Sequence, residues 1–250
     1  MAPRLVALGA SNLARGMGAA VAIAREQWGP SLEVVSAFGP GRSYGMDSSL
    51  MGRRLPGILE CGLWPALLAL PPAETHAVVT DVGNDILYHV PVDRIVAWVD
   101  EAVARLGELT EDVALTGLPL ERIRLLSPSA YLFFRSVLVP NCRLSRAETL
   151  DASARVEDAL RAIADRRRAR FIPLPLGWYG TDPVHIRQRQ AMTAWRAILT
   201  GGPDGGASRS SWESARLFLM KPERRWWLGV EQRGAQPGLR LRSGPTVWCY

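Results

Sequence analysis

Three histidines are the whole supply of imidazole in this 250-residue chain, so the search for a general base is short. His185 stands in Asp182-Pro183-Val184-His185. Pro183 fixes the backbone at one turn, and residues three apart can face each other across it. A carboxylate at Asp182 could accept the Nδ1 proton of His185, hold the ring in one tautomer and stabilise the imidazolium formed during catalysis. The same stretch also reads as a helix start capped by Thr181 or Asp182, with His185 incidental. Ser11 lies in Gly9-Ala10-Ser11-Asn12, where an apolar run gives way to a helical pattern. A serine on such a turn, with its own N–H pointing the same way, has the setting of a nucleophile beside oxyanion donors, or of an ordinary N-cap. Gly41, in GPGRSYG, can bring its N–H close to a ligand because it has no Cβ. Asn84, in VGND, offers an amide N–H₂ donor, although Gly-Asn-Asp also makes good turns.

The elements that must position these residues alternate. Short apolar runs at 5–9, 32–38, 77–82 and 171–174 read as strands, with 123–126 as the fourth in order and 113–116 competing for that place. Helical patterns cover 12–28, 57–70, 92–106, 147–168 and 186–199, several closing at Gly or Pro. Five strands separated by helices of this length predict a parallel sheet covered on both faces. Chemistry in such sheets lies at the carboxyl ends of the strands, in the loops that lead into helices. Ser11, Gly41, Asn84, Asp182 and His185 all fall at that edge. His89 is on the same side and stays a reserve candidate, whereas His76 precedes its strand and belongs to the opposite edge.

These four blocks together resemble the SGNH or GDSL hydrolases. GASN at Gly9 to Asn12 is similar to the serine block, GPGRSYG supplies the glycine as Gly41, VGND the asparagine as Asn84, and DPVH the pair Asp182 and His185. Gly39 and Gly45 are close rivals to Gly41. The resemblance spans roughly residues 4–200. It implies a flavodoxin-like three-layer α/β/α fold and a serine esterase mechanism without metal or cofactor. Ser11 would attack an ester carbonyl, His185 would carry the proton and Asp182 would orient His185. The N–H groups of Ser11 and Gly41 with the Asn84 amide would form the oxyanion hole. The chain departs from the family pattern at Ala10, where that family carries an aspartate, and at Asn12, where it carries a leucine. Altered local hydrogen bonding, not lost activity, is the expectation.

Composition narrows the rest. Hydrophobic residues make up 48% and charged residues 22%, which excludes global disorder and a small disulfide scaffold. The most apolar stretch, residues 62–70, is far shorter than the ~20 residues of a spanning helix, and the N-terminus lacks the pattern of a secretory signal. A cytoplasmic location without membrane insertion is expected. Cys61, Cys142 and Cys249 are far apart and read as reduced, mostly buried thiols. The formal charge is +6, and eight Arg or Lys against three Glu from residue 207 onward supply nearly all of it. The expected organisation is therefore a catalytic α/β domain over 1–203 and, over 204–250, a linker and Trp/Arg-rich extension forming β hairpins. That extension reads as a structural apron, with nucleic acid the less favoured partner.

The expected partner is a small-molecule ester. Tyr44, Tyr88 and Tyr131 are candidate substrate-binding residues, with Met46, Leu87, Phe133 and Phe134 nearby in sequence. The loops show no evident apolar lid, which favours a small acyl group, such as that of an acetylated sugar, over a long-chain lipid. Two alternatives remain: acyl transfer at the same site, and a non-catalytic binding module working through the basic extension.

Overall fold

The structure, a computed structural model, describes residues 2–202 and 206–250. Strand β1 (Arg4–Leu8) leads into helix α1 (Ser11–Trp28), followed by β2 (Glu33–Ala37) and the short strands β3 (Ser48–Leu50) and β4 (Arg53–Leu55). Helix α2 (Leu63–Ala69), strand β5 (Thr75–Val79), α3 (Asn84–Leu87), α4 (Val92–Gly107) and β6 (Val113–Thr116) come next. Then follow α5 (Leu120–Arg124), α6 (Pro128–Leu138), α7 (Arg146–Arg167), β7 (Arg170–Ile172) and α8 (Ala191–Thr200). The C-terminal residues form α9 (Ser211–Phe218), β8 (Arg224–Trp227), β9 (Val230–Arg233), β10 (Leu239–Arg240) and β11 (Thr246–Cys249).

The main sheet has the order β10-β11-β2-β1-β5-β6-β7. Every neighbouring pair is parallel except β10 with β11. Period-2 alternation places Leu5 and Ala7 of β1 in the core under α1 and α8, and Val6 and Leu8 in the core under α4 and α7. Helix α4 buries Ile95, Val99, Ala102, Val103 and Leu106, one helical stripe. Helix α7 starts at a capping box in which Ser145 and Glu148 each accept the other's backbone N–H. The result is the three-layer α/β/α architecture, with β2 and β5 on opposite sides of β1. That reversal opens a crevice at the carboxyl end of β1.

Three local readings of the sequence change. The fourth parallel strand is 113–116, and residues 123–126 lie on and just after α5, where Ile123 and Leu126 face a cavity instead of a sheet neighbour. Residues 215–218, within the extension expected to form β hairpins, belong instead to α9, whose N-cap Ser210 accepts the Glu213 N–H. The C-terminal residues also do more than form a hairpin. Strand β11 pairs with β2 and β10 with β11, taking the five parallel strands to a sheet of seven. The β8–β9 hairpin joins β3 and β4 in a separate four-stranded antiparallel sheet. The boundary expected at 203/204 lies outside the described residues. Helix α9 packs on α1 so closely that a Cβ at Gly18 would stand 2.1 Å from Ser214 Oγ. No helix among the described residues is long and apolar enough to cross a membrane.

Candidate active site

Leu8 of β1 is in register with Ala37 of β2 and Val79 of β5, so the loops after these three strands leave the sheet side by side. They carry Ser11, Gly41 and Asn84. Ser11 is the first residue of α1, whose opening N–H groups have no intrahelical partner. The cap residue Ala10 offers no side-chain acceptor, and the carboxylate of Asp81, in the loop after β5, fills the role. Asp81 Oδ2 accepts the N–H groups of Ala10 (2.8 Å) and Leu13 (3.1 Å). A carboxylate also suits the positive end of the helix dipole. Asp81 reaches this place from a left-handed backbone conformation (φ 63°), which aspartate tolerates better than most residues. Among the described residues the Ser11 N–H is left without a hydrogen-bond acceptor.

Gly41 has φ 72°, and a Cβ there would stand 2.7 Å from the Tyr88 hydroxyl, so this position demands glycine on both counts. Gly41 lines the cleft containing Ser11; Gly39 and Gly45 do not. The Tyr88 hydroxyl donates to the Gly41 carbonyl (2.6 Å), and Asn84 Nδ2 makes a long bond to the Arg42 carbonyl (3.4 Å). The fully buried Asp85, next to Asn84, accepts the Tyr44 N–H (3.0 Å) and ties the glycine loop to the asparagine turn. Burial pushes the Asp85 carboxyl up to about 6, against the opposing pull of Ser43 and the Tyr44 N–H.

The loop carrying His185 is closed at its base by a β-bridge between Tyr179 and Ile186. His185 Nδ1 is 2.6 Å from Asp182 Oδ2, while Asp182 Oδ1 accepts the N–H groups of Val184 (3.1 Å) and His185 (3.2 Å). Burial tends to raise the Asp182 carboxyl; the hydrogen bond and charge of His185 and the two backbone donors outweigh it and hold the group below the usual carboxylate range. With Nδ1 donating to Asp182, Nε2 carries the lone pair of the neutral ring. Asn12 joins this loop to the serine turn. Its Nδ2 donates to Asp81 Oδ1 and to the Val184 carbonyl, and its Oδ1 accepts the Ile186 N–H, each at 2.8 Å. One side chain thereby grips the backbone on both sides of His185.

Ser11, Gly41, Asn84 and His185 line one open cleft, together with Tyr88. Among the described residues no hydrogen bond joins the Ser11 hydroxyl to His185. Side-chain contacts of this kind are often loose before substrate binds. A second space, an apolar cavity of about 100 Å³, opens from Ser11 and Asn84 and runs beneath α6. Helix α6 presents Tyr131, Phe134, Arg135 and Leu138 to it, a 3-4-7 spacing, and leaves Leu132, Phe133 and Val137 in solvent. This roof was missed at the sequence level, although Ser127-Pro128 is a cap followed by a first-turn proline and Ser127 does accept the Ala130 N–H.

Of the three tyrosines, Tyr88 borders the cleft and Tyr131 the cavity, where its hydroxyl bonds to the Leu144 carbonyl and Thr149. Tyr44 must be withdrawn as a substrate contact. It is fully buried, its hydroxyl donating to the Thr80 carbonyl (2.6 Å) beneath the site. Burial, with Asp81 and Asp85 nearby, raises its pKa well above the usual value. Met46 and Phe133 line neither space. His89 is exposed and accepts the Arg143 N–H (3.0 Å), outside the cleft. His76 pairs with Asp112 (2.7 Å) and stacks on Trp28 at the amino end of the sheet. The three cysteines are buried and unpaired, and among the described residues no three His, Cys, Asp or Glu side chains are grouped as metal ligands would be.

No family model matches this chain, and no curated protein does. Solved structures do. One crystal structure aligns with 80% of this chain and 97% of its own at a TM-score of 0.54 and 14% identity. The psychrotrophic esterase EstA from Pseudoalteromonas sp. aligns with 86% of this chain and 98% of its own, at 12% identity and a TM-score of 0.47. A carbohydrate acetylesterase family member from Sinorhizobium meliloti aligns with 78% and 99%, at 15% identity and 0.48. What is shared is the fold. The three-layer α/β/α fold is the architecture that the resemblance to the SGNH or GDSL hydrolases implies.

Proposed function

We propose that this protein is a serine hydrolase of the SGNH type that cleaves an ester with a small acyl group. The observation that carries the reading is convergence. Residues from four separate segments, Ser11, Gly41, Asn84 and His185, border one cleft, and His185 is held by Asp182. In this reading Ser11 Oγ attacks the ester carbonyl while His185 Nε2 takes its proton. The same Nε2 then returns the proton to the leaving alcohol, and water repeats the sequence on the acyl-enzyme. Asp182 stabilises the imidazolium between the two transfers. The free Ser11 N–H, the Gly41 N–H and the Asn84 amide are the donors for the oxyanion, and loss of one such donor typically costs ~2.7–4 kcal/mol in the transition state.

The test is labelling with a fluorophosphonate probe followed by peptide mapping, alongside turnover of 4-nitrophenyl acetate. The label is expected on Ser11, with turnover abolished in Ser11→Ala and lowered about as much in His185→Ala, but kept in His89→Ala. A label elsewhere, or a Ser11→Ala protein as active as the parent, refutes the assignment.

A further inference from the structure

The cleft and the cavity share Ser11 and Asn84, but only the cleft contains His185. That asymmetry gives the site a direction. On the proposed ester-hydrolase reading, on which this inference rests, His185 must deliver a proton to the leaving oxygen, so the alcohol limb lies on the His185 side. The acyl limb, across the carbonyl, enters the apolar cavity beneath α6. The alcohol side has a distinct chemistry. Its charged lining residues, apart from His185 itself, are Arg15 and Arg209, and it is lined by no carboxylate among the described residues. Arg15 is exposed on α1 four residues after Ser11, one turn along the same face. Arg209 comes from the C-terminal region, just ahead of α9, and its Nη1 donates to Gln188 Oε1 (2.9 Å). Gln188 Nε2 in turn reaches the Arg15 carbonyl (3.5 Å), which brings the two arginines to one rim. Neither guanidinium has an acidic partner among the described residues.

We propose that the alcohol limb of the substrate carries an anion, a carboxylate or phosphate, that is held by Arg15 and Arg209 at the mouth of the cleft. Two arginines lining an open cleft, with no acidic partner among the described residues, suit a planar or tetrahedral oxyanion better than a neutral sugar hydroxyl. The C-terminal region would then take part in substrate selection through Arg209 and through the cleft wall formed by Ser211, Ser214 and Phe218.

Two matched ester pairs test this: the butyrate ester of lactate against that of methyl lactate, and butyrylglycerol phosphate against butyrylglycerol. Each pair shares its acyl group and differs in charge. The unaltered protein is expected to favour the anionic member of at least one pair by about tenfold in kcat/KM, the scale of a hydrogen bond to a charged group. Which pair shows it identifies carboxylate or phosphate. The preference should shrink as salt is added, collapse in Arg209→Gln and in Arg15→Gln, and return in part in Arg209→Lys. Equal kcat/KM within both pairs, or a preference that survives both glutamine variants, overturns the proposal while 4-nitrophenyl butyrate turnover keeps the hydrolase reading intact. No turnover of any of these esters, 4-nitrophenyl butyrate included, overturns both.

Discussion

Replacing Asn12 with alanine removes three hydrogen bonds of 2.8 Å, to Asp81 Oδ1, the Val184 carbonyl and the Ile186 N–H. Two are bonds to neutral backbone groups, worth about 1 kcal/mol each, and one is to a carboxylate, worth about 1.5–3 kcal/mol. The side chain is only part-buried, so water can take up some of these groups, and a net loss of about 2 kcal/mol is expected. For a chain of this size that lowers Tm by about 4–8 °C. The kinetic consequence should be larger. Asn12 holds the backbone on either side of His185, and misplacing a reacting group by ~1 Å can cost ~100-fold in rate. Turnover of 4-nitrophenyl acetate should therefore show kcat reduced by about 30–100-fold, with KM changed much less, because on the proposed mechanism Asn12 acts on the base and not on the bound ester. The assay is steady-state kinetics well below the Tm of the variant. A kcat within about threefold of the parent, with the Tm loss present, would refute the argument and leave Asn12 as a staple of the fold alone.

Gly41→Ala must place a Cβ at φ 72° and 2.7 Å from the Tyr88 hydroxyl. It should cost about 1–3 kcal/mol of stability by urea unfolding and lower kcat by about 10–100-fold through displacement of the Gly41 N–H. Unchanged kcat would remove Gly41 from the oxyanion hole. Asp85 has its folded pKa raised from 3.8 to about 6, so the folded state binds the extra proton. Its contribution to stability is full below about pH 4 and is lost as pH rises through about 6, a change of up to ~3 kcal/mol. Asp85→Asn should flatten that part of the pH–stability profile and make the protein more stable than the parent at about pH 8. A variant less stable there would mean that the ionised carboxylate is better satisfied than its surroundings suggest. Asp182, lowered instead of raised, acts in a separate window below pH 3.8, where its stabilising pair with His185 is lost as the pH falls.

Much of the site was legible because its signals are local. Asp182 and His185 sit three residues apart across a proline, and Ser11 and Asn84 each open a helix just after a strand. Strand and helix patterns of period 2 and 3.6 likewise exist within ten residues of sequence, which is why β1, β2, β5, α1, α4 and α7 could be placed from composition and stop signals. Some local signals went unread. Ser210 followed three residues later by Glu213 is a helix start, and it lies at the end of the Gly/Ser-rich stretch that reads as a linker. Ile123 and Leu126 are apolar because they face a cavity, so a strand and a short cavity-lining helix were indistinguishable over four residues.

The sequence by itself determined the alternation of elements, the sheet edge at which the candidate side chains gather, and the two positions, Ala10 and Asn12, at which the resemblance to the SGNH pattern breaks. Only the tertiary structure decided what caps α1 and that a cleft and a separate cavity both border Ser11. Asp81 caps α1 from 71 residues away in the chain, and Asn12 reaches Val184 across 172. Strands β10 and β11, the α9 wall and the arginine at 209 come from a region with no visible tie to the site in sequence. Contacts of this kind leave no periodicity to read. A carboxylate that caps a distant helix and one that faces solvent have the same local sequence, and they differ only once the chain has closed over them.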